Sequence, residues 1–217
     1  MQRLASRSAR APEDEPEPMS RLVVASRNQH KLRELARLLP TLELEPIGPE
    51  LQLPPERGES FAEIALAKAR AVAQATGSVA IGEDSGIEAA ALGGAPGVRS
   101  ARYASRGEEN AGDAENTAKL LREAPAGSPL RYVCALAYVD PRAHVEEVFV
   151  GTCEGRLAER PRGEGGFGYD PVFIALEGPP GKTVAELSAE QKDAISHRGK
   201  AARALLAHLR AEARGER

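Results

Sequence analysis

The sequence predicts an α/β fold with a mixed sheet, and two observations carry that reading. From Arg21 onward, short apolar strand-like runs alternate with amphipathic helical patterns, as they do in the units of a parallel sheet. Midway the alternation is broken by two β-rich runs, Tyr132 to Val139 and Val145 to Cys153. They are separated by Asp140-Pro141-Arg142-Ala143, the signature of a hairpin. A sheet holding both kinds of connection is mixed.

The elements follow in order. Residues 1 to 20 are rich in Arg, Ala, Pro and Glu with almost nothing apolar to bury, so they read as a disordered tail, and they lack the apolar centre of a signal peptide. Met19, just before Ser20-Arg21 and the first apolar run, is an alternative start of translation. Residues 21 to 26 form a strand, and 29 to 39 a helix whose Leu32, Leu35, Leu38 and Leu39 share a face before Pro40 stops it. Residues 42 to 47 are a second strand. Ser60-Phe61-Ala62-Glu63 is a capping box opening an Ala-rich helix to about Thr76, closed by Gly77. A strand at 79 to 82 delivers Glu83 and Asp84 from its end, and a helix near 112 to 123 follows. The chain closes with a capping box, Ser188 to Gln191, and a helix whose Ala201, Ala202, Leu205, Leu206 and Leu209 make an apolar stripe. Residues 21 to 217 are read as a single domain.

Composition bounds the chemistry. With 41% hydrophobic and 28% charged residues the 217-residue chain is ordinary for a globular protein, and its net charge of −3 argues against a nucleic-acid polymer as ligand. Small anions need only a local cationic cluster. No apolar stretch reaches the roughly 18 to 20 residues of a membrane span. Cys134 and Cys153 are too few and too far apart for a disulfide framework and read as reduced core residues. His30, His144, His197 and His208 form no zinc spacing.

Four segments could carry chemistry. Glu83-Asp84-Ser85-Gly86 puts two carboxylates and a hydroxyl on a strand-to-loop edge, where α/β sheets hold ligands. Partly desolvated carboxylates need compensating charge, and Mg²⁺, bound by one or two carboxylates plus phosphate oxygens, is the simplest source. Ser26-Arg27-Asn28-Gln29-His30-Lys31 opens the first helix, either as an anion-binding turn or as ordinary capping. Gly163 to Gly168 matches Gly-x-Gly-x-x-Gly, but Tyr169-Asp170-Pro171 follows where a dinucleotide fingerprint needs a helix. The loop holds Phe167 and Asp170 against a planar ligand, or is a structural turn with a buried Phe. Lys192 and Ser196-His197-Arg198-Gly199 add donors suited to phosphate or keto oxygens, and Glu56 is either a second metal ligand or a solvated loop residue.

The order of these motifs is specific. Ala25-Ser26-x-Asn28-x-x-Lys31, Glu56-x-Gly58-x-Ser60-Phe61, Asp84-Ser85-Gly86, Gly94-Ala95-Pro96-Gly97 with Ser100-Ala101-Arg102-Tyr103, Gly166-Phe167-Gly168-Tyr169-Asp170-Pro171 and Ile195 to Gly199 resemble the noncanonical purine nucleoside triphosphate pyrophosphatases, the inosine/xanthosine triphosphate family. The resemblance runs through residues 22 to 210. It implies an elongated, two-lobed mixed α/β fold with a deep cleft, Mg²⁺ dependence, a cytoplasmic homodimer, and hydrolysis of ITP, dITP or XTP to the monophosphate and pyrophosphate. By motif it implies Asp84 as general base and metal ligand, with Glu56 as the other ligand. Ser26, Asn28 and Lys31 are implied as triphosphate contacts, with Arg27 beside them, and Ser85 as a further substrate contact. Phe167 is implied as the ring under the base, with Gly168 and Tyr169 in the same loop and Asp170, Lys192, His197 and Arg198 along the base edge and sugar. Ile64 stands where the family usually has Asn, and Arg27 and Arg99 where it often has Gly and Tyr. The competing readings are a pyrophosphatase for pyrimidine or modified nucleotides, as in the septum-inhibitor family, and a nucleotide sensor without turnover.

Overall fold

The computed structural model describes residues 21–107 and 109–215; the expected tail at 1 to 20, with Met19, lies outside them. Strands β1 (Arg21–Val24), β2 (Glu43–Pro46) and β3 (Ala80–Ala89) are parallel, whereas β4 (Pro129–Asp140), β5 (Val145–Leu157) and β6 (Phe173–Ala175) continue the sheet antiparallel from β3. The strand order is β2-β1-β3-β4-β5-β6, a mixed sheet as expected. The helices are α1 (Gln29–Leu38), α2 (Phe61–Thr76), α3 (Asp113–Glu123), α4 (Ala189–Ile195) and α5 (His197–Ala213).

Local chemistry explains most boundaries. Asn28 caps α1, its Oδ1 accepting from the backbone N–H of His30 at 2.9 Å and Lys31 at 3.2 Å. Ser60 Oγ accepts from Glu63 N–H at 3.2 Å, while the Glu63 carboxylate turns back to the Glu59 N–H at 2.9 Å rather than to Ser60. Gly77 ends α2 in a left-handed conformation. Two expectations are corrected. The strand expected at 79 to 82 runs on to Ala89, so Glu83 and Asp84 lie within it, because β4 supplies a continuous ladder from Ala80 to Ala89. The single C-terminal helix is two helices. Ser196 takes an extended conformation, donates its N–H to Lys192 O at 2.8 Å to close α4, and accepts from Gly199 N–H at 3.0 Å to open α5.

Apolar side chains bury on both faces of the sheet and at one end. Helix α2 packs Ala65, Ala69 and Val72 on one face over Val23, Ala80, Ala135 and Ala137. The approach is close because position 82 is glycine: a Cβ there would sit 1.9 Å from the Ala65 carbonyl oxygen. Helices α1 and α5 cover the other face through Leu35, Ala201, Ala202 and Leu205, against Leu22, Val24, Ile81 and Leu136. A separate core gathers Ile87, Leu120, Leu130, Tyr132, Leu157, Val172 and Phe173 at the far end of the long strands. The molecule therefore has two lobes sharing β3, β4 and β5, with a cleft between them.

Candidate active site

The site forms where the sheet loses a neighbour. Strand β1 pairs with β3 only at Ala80 and Ile81, so β3 continues past the end of β1 with one edge turned to the start of α1. Alternation along a strand sends consecutive side chains to opposite faces. Glu83 and Ser85 point towards α1 and α5, and Asp84 points towards α2. The expectation that one cation compensates the two adjacent acids is thus corrected, because each acid belongs to a different cluster.

Glu83, wholly buried, meets Lys31 Nζ at 2.7 Å and the Arg198 guanidinium at 2.9 Å, and Cys134 Sγ donates to it at 3.5 Å. Burial alone would raise its carboxyl, but Lys31 and Arg198 bring it well below the usual carboxylate range. Arg198 also donates to Ser85 Oγ at 3.0 Å and to Glu34 at 2.5 Å. Glu34 in turn pairs with Lys192 at 2.7 Å, and Lys192 reaches Asp170 at 2.5 Å. Buried charges are tolerated here because each has a hydrogen-bonded partner of opposite sign.

On the α2 face, Lys68 Nζ stands between Glu56 at 2.5 Å and Asp84 at 3.1 Å, and Arg102 holds the Glu56 carbonyl at 3.1 Å and its carboxylate at 3.4 Å. Burial pushes the Asp84 carboxyl up to about 6 against the pull of Lys68 and Lys31. Burial would also raise Glu56, but the adjacent Lys68 ammonium outweighs it and the carboxyl lies below its ordinary value. Ile64, in the position noted as a departure, is buried and would lie 2.8 Å from a Cβ at Gly58, so it packs under the loop that carries Glu56.

Beyond Ser85 the cleft opens into a cavity of about 720 Å³, its mouth included, lined by residues of both lobes. Asn28, Lys31, Ser85, Phe167, Gly168, Tyr169, Asp170, Lys192, His197 and Arg198 all face it. The Phe167 ring is 5.2 Å from that of His30 and lies over Lys192 Nζ at 5.1 Å and the Arg198 guanidinium at 5.5 Å. His197 stacks on Tyr132 at 4.5 Å, and burial together with Arg198 and Lys192 holds its imidazole well below its usual pKa, hence neutral. Asp170 accepts from Phe167 N–H at 2.9 Å and Tyr132 Oη at 3.2 Å, and Tyr169 Oη donates to the Ser100 carbonyl at 2.8 Å. Ser26 Oγ accepts from Asn28 N–H at 3.1 Å. Arg27 is not brought to the cavity: its guanidinium donates to the carbonyls of Gly48, Pro49 and Leu51 at 3.2, 3.1 and 2.6 Å. Lys68, Glu34, Arg102 and Asp113 were missed from the sequence. Only Lys68 left a signal, as a lysine one turn from both Ile64 and Val72 on the apolar stripe of α2.

Residues 22–208 match the Ham1 family, a span containing every residue of both clusters and the cavity. The chain belongs to the Ham1 family. Among similar proteins, a dITP/XTP pyrophosphatase of Symbiobacterium thermophilum is 47% identical over 186 residues, covering 83% of this chain and 90% of the relative. One of Mycolicibacterium paratuberculosis is 46% identical over 208 residues, covering 90% and 98%. The solved Ham1 protein of Coxiella burnetii superposes with a TM-score of 0.75 at 39% identity, over 88% of this chain and 98% of its own. That of Staphylococcus aureus gives 0.75 at 37% identity, over 89% and 100%. The mixed sheet and its cleft are thus a Ham1 architecture.

Proposed function

We propose that this Ham1-family chain hydrolyses noncanonical purine nucleoside triphosphates (ITP, dITP and XTP) to the monophosphate and pyrophosphate in the cytoplasmic nucleotide pool. The observation that carries the reading is the junction at Asp84 and Ser85. A carboxylate with a pKa of about 6 adjoins, one residue on, a cavity walled by an aromatic ring and cationic donors.

Asp84 supplies the base. In its ionised form it accepts the proton of a water whose oxygen bonds to the α-phosphorus as the bond to the pyrophosphate oxygen breaks. Lys31 lines the cavity and Lys68 stands beside Asp84, so both would supply positive charge to a triphosphate, whereas the first-turn N–H groups of His30 and Lys31 are already held by Asn28 Oδ1. The donor set fits a divalent cation of the Mg²⁺ type. Glu56 and Asp84 converge on one positive point, the Lys68 ammonium, and both are hard oxygen ligands. Two carboxylates suit a Mg²⁺-type ion, which is held by one or two carboxylates with substrate phosphates and water. Bound there, it would neutralise phosphate charge and orient the water.

Base choice follows from donors. Lys192 and Arg198 offer N–H groups to a 6-keto oxygen beside the Phe167 face, and the Arg198 Nε–H is buried without a protein partner. A 6-amino group brings a donor against donors, and the 2-amino group of GTP brings one more to satisfy. Each unpaired group costs about 1 to 3 kcal/mol. The homodimer implied by family resemblance is proposed with the activity; Val150 and Leu176 are large apolar side chains left 55% and 60% exposed for such a contact.

Pyrophosphate release from ITP, XTP, dITP, GTP, ATP, dTTP and UTP, each with Mg²⁺ and with chelator, tests the proposal. Fast Mg²⁺-dependent release confined to the first three supports it. Preference for dTTP or UTP would move the chain to the pyrimidine reading, and tight ITP binding without release would make it a sensor.

A further inference from the structure

The loop that carries Phe167 is held from within and from outside. Within it, Gly166 is left-handed at φ +72°, and a Cβ there would lie 2.0 Å from Asp170 Oδ2, so the loop wraps the carboxylate that accepts the Phe167 N–H. The next peptide is gripped by α3, which packs in the same core as Tyr169 and Val172. Gly168 N–H donates to Asp113 Oδ2 at 2.7 Å, and one turn along α3 Thr117 Oγ1 donates to the Gly168 carbonyl at 3.4 Å. Asp113 is the first residue of α3 and stands 55 positions away in the chain. As a first-turn acid it also suits the positive end of the helix, but that role needs no contact with a distant loop. Asp113 and Gly168 both line the cavity. The peptides on either side of the Phe167 Cα thus each have their N–H fixed by a carboxylate.

We propose that Asp113 is a positioning residue, anchoring peptide 168 so that the Phe167 ring is set at the depth and tilt the purine base requires. The inference rests on the reading of Phe167 as the ring under the base. A charge-assisted hydrogen bond is stronger than a neutral one and more directional, so its loss loosens the ring without unfolding the loop, which Asp170 still holds.

The test separates the base from the phosphates. Asp113→Ala should raise KM for ITP about 10-fold and change kcat less. The inhibition constant of inorganic tripolyphosphate, which has no base, should stay unchanged. Asp113→Asn keeps an accepting oxygen and should stay near the parent. Amide hydrogen exchange at Gly168, read without nucleotide, should speed up in Asp113→Ala. Unchanged KM for ITP in the folded Ala variant, equal weakening of tripolyphosphate, or undiminished protection at Gly168 would each overturn the proposal. Absence of ITP turnover in the parent would instead strike the function proposed above, and the Gly168 exchange would still decide whether Asp113 anchors the loop.

Discussion

At the residue scale, Asp84 is kept in a state that water would not give it. Its carboxyl is raised from 3.8 to about 6 chiefly by burial, so the folded chain binds more protons than the unfolded chain between those values. The sign follows: the stabilisation is fully present below about pH 4 and is lost as pH rises through 6, leaving an ionised Asp84 that costs the fold about 3 kcal/mol at most. Asp84→Asn should therefore slow turnover about 100- to 10,000-fold yet raise the melting temperature of the metal-free protein at pH 8, with the gain vanishing near pH 4; a lower melting temperature at pH 8 would refute the burial argument. Lys68 acts in the opposite direction on the same group. Lys68→Met removes its pull on Asp84, so in the metal-free protein the Asp84 carboxyl, followed by NMR, should titrate at higher pH, and an unmoved titration would show that Lys68 does not act on this carboxyl.

At the scale of elements, one residue joins two helices and presents the donors of the cavity. Ser196 closes α4 and opens α5, so Lys192 leaves the end of one helix and His197 and Arg198 leave the first turn of the next, all towards the cleft. A continuous helix through 196 would turn these side chains apart by about 100° per residue. Ser196→Ala should cost about 1 kcal/mol of stability as a lost cap and raise KM for ITP, because Arg198 would no longer bridge Glu83 and Glu34. A melting shift with unchanged KM would confine Ser196 to capping.

At the scale of the molecule, β3, β4 and β5 pass through both lobes and tie their cores together. Leu136, fully buried at the centre of β4, packs in the core beneath α1 and α5. Leu136→Ala should lower stability by about 2 to 5 kcal/mol, seen as a lower denaturant midpoint at an unchanged slope, with one transition by circular dichroism and by Tyr fluorescence. Separate transitions would mean that the shared strands do not couple the lobes. His197 adds a pH dependence to the whole fold. Its depressed folded pKa means that the unfolded chain takes up a proton first as pH falls below about 6.5, so stability is lost on that side.

Much of this was legible in the chain itself. The hairpin, the caps at Asn28, Ser60, Gly77 and Ser188, and the ordered motifs around Asp84 and Phe167 are local patterns, set by residues within a few positions of one another. The pairing of charges was not local. Glu83 is matched by Arg198 at a separation of 115 residues, and Glu34 by the same guanidinium at 164. Sequence could place Glu83 and Asp84 side by side, but only the continued β4 ladder made that stretch a strand and so sent the two acids to opposite faces. One became a structural ion pair and the other the candidate base, because the side of a strand on which a charge falls decides which distant partner it meets.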